Sequence, residues 1–233
     1  MVSRMGPAVA MKSLVPGQAG EKNRWATAWF VMGFLLFVAG TGSGCFGSAK
    51  AAVQHYYELP AYKDLSLSGP KIDKVVRVEE FDTASAYDVL RLAYRVSTYE
   101  IRYYGVRQWV SKPGALVASS LRRALEASKR FRLVTEESPP VADYSVQGKV
   151  LAIEEVDHGP RKGRWYAHLG LRILVRSVSD GRVVWRGDFD RMVPVRRRRA
   201  VDVVAGLTRL MRELAKIVIA RIQADAGAPR RAN

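Results

Sequence analysis

Along residues 165–176 apolar and polar positions alternate: Trp165, Ala167, Leu169, Leu171, Ile173 and Val175 share one phase, and Tyr166, His168, Gly170, Arg172, Leu174 and Arg176 the other. A period of two with one polar face predicts a half-buried antiparallel strand. Ser179-Asp180-Gly181-Arg182 supplies hairpin chemistry, and 183–192 returns as a strand with Trp185, Gly187 and Phe189 on one side. Runs at 54–59, 74–81, 91–96, 100–109, 131–135 and 142–156 are rich in β-branched or aromatic residues between turn signals, so they also read as strands. The pair 91–96 and 100–109 flanks Ser97-Thr98 as a hairpin. Segments 60–70, 138–140 and 157–164 read as loops, and the polar stretch 82–88 reads as loose.

Two segments switch to helical spacing. After Lys112-Pro113-Gly114, Val117, Leu121, Ala124, Leu125 and Ser128 fall on one face and Arg122, Arg123, Glu126 and Lys129 on the other, a helix of about 15 residues. Near the end, Val204, Leu207, Met211, Leu214, Val218 and Ile222 form a continuous apolar stripe, with Asp202 placed to cap it. The order β-β-β-β-α-β-β-β-β-α predicts an α+β fold: a mainly antiparallel or mixed β-sheet with two amphipathic helices packed on one face. No internal repeat or coiled-coil pattern is present.

The first 44 residues follow a different pattern. Arg4, Lys12, Lys22 and Arg24 precede the apolar segment 26–39, which is shorter than the roughly 20 residues a membrane span needs. A basic start, a short apolar stretch and an exit through Thr41-Gly42-Ser43-Gly44 mark a secretory signal. It ends on Cys45, the single cysteine of 233 residues, and the junction resembles a bacterial lipobox, with Gly42 standing where an aliphatic residue is usual. Cys45 is therefore the expected lipidation site, 45–53 a flexible tether, 54–225 a single domain and 226–233 a disordered tail. The expected location is the cell envelope, anchored by the acylated Cys45, since two or more acyl chains hold a protein stably on a bilayer. One cysteine permits no internal disulfide, so packing must stabilise the domain.

The formal charge is +16. The leader holds four of the 38 bases and one of the 22 acids, so the mature chain of about 189 residues keeps an excess near +13. Such a charge favours anionic surfaces, and export points to phospholipid, lipopolysaccharide or an acidic protein rather than nucleic acid.

Recognisable chemistry is sparse. His55, His158 and His168 have no metal-ligand spacing, and phosphate-loop, dinucleotide and serine-hydrolase motifs are missing. Glu79-Glu80, Glu136-Glu137 and Glu154-Glu155 are adjacent pairs, which on strands point to opposite faces. They are expected to be solvated or edge charges, and His168 a surface residue. No enzyme, no cofactor and no metal site is expected; the domain reads as a binding module.

The string Ser97-Thr-Tyr-Glu-Ile-Arg-Tyr-Tyr-Gly-Val-Arg-Gln-Trp109, with Arg95 before it, Pro113 after it and Phe131-Arg-Leu-Val134 beyond the helix, resembles the ABC-type transport auxiliary lipoprotein family, which includes paraquat-inducible protein C. Tyr56-Tyr57-Glu-Leu59, Ala142-Asp-Tyr144, Asp180-Gly181, Trp185 and the last apolar helix fit the same pattern. The resemblance implies a periplasm-facing lipoprotein, usually of the outer membrane. It would work with an MCE-domain substrate-binding protein and an ABC permease and ATPase to move lipid between membranes. The alternative expectation is a structural envelope lipoprotein that binds lipopolysaccharide or peptidoglycan through its basic face. A homo-oligomer is compatible with either.

Two clusters stand out as binding candidates. Tyr103 and Tyr104 are adjacent, so on a regular strand one faces away from the core, and with Arg102 and Arg107 they suit a protein contact. Arg196, Arg197, Arg198 and Arg199 precede a helix start, where cations oppose the dipole by roughly 0.3–1 kcal/mol each. A compensating anionic headgroup or acidic partner is the expectation there.

Overall fold

The computed structural model describes residues 52–60, 69–136, 142–157 and 164–228. Residues 1–51, which hold the expected leader and Cys45, and residues 229–233 lie outside the described residues, as do His158 and Glu137. In chain order the elements are β1 His55–Tyr57, β2 Ile72–Val78, β3 Asp82–Thr83, a 3-10 turn Ser85–Tyr87, β4 Arg91–Ser97, β5 Glu100–Trp109, α1 Pro113–Ala127, β6 Phe131–Thr135, β7 Tyr144–Val156, β8 Trp165–Ser177, β9 Val183–Val195 and α2 Ala200–Ala226. None of the described helices is long and apolar enough to cross a membrane.

β7 is the hub of a curled mixed sheet of nine strands. One of its edges pairs antiparallel with β8 along its length, and β8 with β9. Its other edge is shared by three parallel strands in turn: β2 at Tyr144, β3 at Lys149 and β4 at Glu154. β6 lies parallel beyond β2, while β5 lies antiparallel beyond β4 and carries β1 parallel on its far edge.

The alternation in β8 has the expected cause: Ala167, Leu169, Leu171, Ile173 and Val175 are all 0% exposed beneath the helices. Both helices cover this face, packing on one another and on β7. α1 begins at Pro113, whose missing N–H costs nothing at the first helical position. Its Val117, Leu121, Ala124 and Leu125 are buried, as is the stripe of α2 from Val204 to Ile222. Each fully buried aliphatic side chain contributes roughly 1.5–3 kcal/mol. α2 approaches β8 and β9 closely at Gly206, where a Cβ would lie 2.6 Å from the Ala167 methyl.

Three local expectations are corrected. The stretch 82–88 is ordered: β3 joins the sheet, and the 3-10 turn delivers Tyr87, 4% exposed, into the core. Asp202 does not cap α2. The cap position is Arg199, without a side-chain hydrogen bond, and Asp202 sits in the first turn, where its charge favours the dipole. The second strand runs from Ile72 to Val78 rather than to Phe81, because Phe81 turns in against Gly148.

Pairing of β7 with β8 steps from Val150↔Leu171 to Ala152↔Gly170, leaving Leu151 as an extra residue. Before this bulge, Val146 and Val150 share the helix-covered face; after it, Ile153 and Glu155 do, opposite Leu169 and Ala167. Glu154, opposite His168, therefore faces the other side of the sheet.

Candidate functional site

The expected solvated pair Glu154-Glu155 is instead 1% and 2% exposed. The two carboxylates point to opposite faces, as adjacent strand residues must, but each face supplies partners that local sequence does not reveal. Burying an unpaired carboxylate costs several kcal/mol, so these partners are a condition of the fold.

On the open face Glu154 accepts hydrogen bonds from Tyr87 Oη at 2.7 Å and Arg95 Nε at 2.8 Å, and lies 3.0 Å from His168 Nδ1. Arg95 also donates to Tyr87 Oη at 2.8 Å, closing a ring of bonds. The second nitrogen of His168, Nε2, lies 2.7 Å from Asp190 Oδ1. His168 is thus no free surface residue: its side chain is 14% exposed and wedged between two carboxylates. Both ring nitrogens can donate together only in the imidazolium. Burial opposes that charge, but the bonds to Glu154 and Asp190 prevail and raise the His168 pKa. Burial likewise works against the Glu154 charge, and the donors His168, Arg95 and Tyr87 outweigh it, holding the carboxyl below its usual range. The Tyr87 phenol is pushed well up, first by burial and then by its bond to Glu154.

On the helix-covered face Glu155 accepts from Tyr104 Oη at 2.7 Å and from Arg198 Nε at 3.2 Å. Arg198 also reaches Asp157 and lies 5.9 Å from the Tyr94 ring centroid. Tyr94 and Tyr104 pack with centroids 4.7 Å apart, and the Arg107 guanidinium lies 4.4 Å from the Tyr104 ring centroid. Burial raises the Glu155 pKa; the Tyr104 bond works against this, and the neighbouring Asp157 adds to it.

The adjacent tyrosines of β5 are thereby divided. Tyr103 faces the Arg95 side, its hydroxyl donating to the Ala86 carbonyl at 2.6 Å beneath Arg91, whereas Tyr104 serves Glu155. Arg102 is exposed and paired with Glu100 at 2.6 Å. Trp109 is buried at 2%. Tyr99, at the tip of the β4–β5 hairpin, is 97% exposed. β1 covers the β5 edge only from Arg107 to Trp109, so residues 100–106 present an edge unpaired among the described residues.

The four arginines are divided as well. Arg198 is spent on Glu155 and Asp157, and Arg199 holds Asp202 through bonds of 2.9 and 3.2 Å. The compensation expected from a ligand is internal for these two. Arg196 and Arg197 are exposed and form no ion pair with a described residue. No cluster of potential metal ligands occurs among the described residues.

No protein-family model matches the chain, and no curated protein matches it in sequence. Among solved structures, protein XCC0632 from Xanthomonas campestris, described under the family DUF330, is 20% identical, with 76% of this chain and 97% of that one covered at a TM-score of 0.59. A second, described as an uncharacterised protein, is 13% identical, with 73% and 99% covered at a TM-score of 0.60. At these identities the likeness is one of fold, and the chain shares the fold of these two proteins across nearly their whole length.

Proposed function

We propose that the protein is a non-enzymatic, lipid-anchored accessory subunit of an MCE-type ABC transporter for lipid or other hydrophobic compounds, attached through Cys45 and facing the periplasm from the outer membrane. The observation that carries the reading is the saturation of the most enzyme-like cluster. Glu154, His168, Arg95 and Tyr87 point their polar atoms at one another and at Asp190, which braces β4, β7, β8 and β9 and leaves no general base to spare. The family-like residues Arg95, Tyr104 and Trp109 serve as scaffold. The hairpin that carries them offers Tyr99 and Arg102 to solvent beside a β5 edge that is unpaired among the described residues, a surface suited to strand addition and a tyrosine-arginine contact.

Affinity purification from crosslinked membranes tests this directly. Recovery of an MCE-domain protein with its permease and ATPase is expected, and substitution of Tyr99 and Arg102 by alanine should weaken it. Recovery of cell-wall or lipopolysaccharide assembly proteins alone would instead favour a structural envelope lipoprotein, the reading that the exposed Arg196 and Arg197 support. Cys45→Ala should lose the acyl mass and release the chain from membranes; unchanged fractionation would remove the anchor from the proposal.

A further inference from the structure

Arg196 has a second setting that the linear run Arg196-Arg199 conceals. It lines a cavity of about 730 Å³ with Arg164 and Trp165 at the start of β8, Pro194 and Val195 at the end of β9, and Asp202, Ala205 and Arg209 on α2. The pairing Trp165↔Val195 joins the strand side, and spacings of three and four residues place Asp202, Ala205 and Arg209 on one helix face. Gly206, which draws the helix against Ala167, sets the depth of the helix wall.

We propose that this cavity binds a phosphate-bearing ligand, its phosphoryl oxygens held by Arg164, Arg196 and Arg209. Three arginines line one space, and each guanidinium is a planar cation with a fork of N–H donors that repels the others. Arg164 and Arg196 make no hydrogen bond or ion pair to a described residue, and Arg209 spends one long bond of 3.3 Å on the Pro194 carbonyl. The one acid on the wall, Asp202, is already neutralised by Arg199 from outside the lining. The net field in the cavity is therefore positive, and the start of α2 adds the positive end of a helix dipole to it. Guanidiniums match phosphate oxygens bidentately. Trp165, Pro194, Val195 and Ala205 form a largely apolar wall beside them, where the glycerol or first methylenes of a lipid headgroup would fit. The volume lies in the range usual for small-ligand sites. The site does not depend on the transporter reading.

Calorimetric titration of the purified full-length chain with two probes, inorganic phosphate and monomeric dihexanoyl phosphatidic acid, tests the proposal and separates its two sources. Saturable binding is expected for at least one, and the tighter probe names the source: a free phosphate or a lipid headgroup. Arg196→Gln combined with Arg209→Gln should weaken that binding at least tenfold, whereas Lys149→Gln, an exposed base on β7, should leave it unchanged. Ala205→Trp keeps every charge and should block the cavity by volume alone, which guards against misfolding of the arginine variants. Absence of saturable binding by both probes, or affinity indifferent to the double variant and to Ala205→Trp, overturns the proposal.

Discussion

Glu154→Gln isolates the charge at the centre of the open-face network while keeping its shape. The substitution removes the ionic part of two contacts, from Arg95 at 2.8 Å and His168 at 3.0 Å, and keeps an acceptor for Tyr87. Hydrogen bonds to charged groups contribute about 1.5–3 kcal/mol each. They are not additive within one network. The Arg95 side chain is 26% exposed, so water recovers part of its loss, and His168 retains Asp190. The expected cost is about 2–3 kcal/mol near pH 7, well above a surface ion pair at about 0–1 kcal/mol. Urea unfolding followed by circular dichroism measures it.

The pH dependence gives an independent signature of the same substitution. Glu154 has a folded pKa below its ordinary value near 4.3, so its contribution is present above about pH 4.3 and is lost as pH falls through the folded value. The gap between wild type and variant should close in acid. His168 has a raised folded pKa, so its contribution is full below about pH 6.5 and is lost as pH rises through the folded value. The variant should lose this alkaline slope in part. A loss below about 0.5 kcal/mol, or a gap independent of pH, would refute the buried network as a source of stability.

Arg198→Gln should destabilise by about 1–3 kcal/mol near pH 7, less than a fully buried pair because the Arg198 side chain is 45% exposed. Glu155 has a raised pKa, so its ionisation costs stability as pH climbs through the folded value; melting curves of the variant should approach wild type near pH 4.5 and diverge above it. Gly206→Ala gains about 1 kcal/mol of helix propensity but forces a methyl within 2.6 Å of Ala167, so a net loss of about 1 kcal/mol is expected in urea unfolding, and a gain would refute the close packing of α2. Lys129 closes α1 in the left-handed region with φ 52°, so Lys129→Gly should raise stability by about 0.5–1 kcal/mol while Lys129→Ala should not.

Both helices and the β8–β9 hairpin were legible in the chain because burial of one face imposes a period of 3.6 or 2, and residues such as Leu169, Leu171, Leu207 and Met211 carry that period without interruption. Within β7 the alternation misleads, since the bulge at Leu151 exchanges the faces between Val150 and Ile153. Tyr87 lay in a polar stretch with no period at all, and its burial comes from a hydrogen bond to Glu154, 67 residues further on.

The sequence alone determined the two amphipathic helices, the α+β class and the excess of positive charge. Tertiary structure alone decided which charges are structural. Glu154 meets Arg95 across 59 residues and Glu155 meets Arg198 across 43; Arg196, two residues before Arg198, lines a cavity instead. Periodicity is a property of neighbours along the chain, whereas a buried carboxylate is stabilised by whichever cation the sheet carries to it, and that pairing exists only once β7 has gathered its partners.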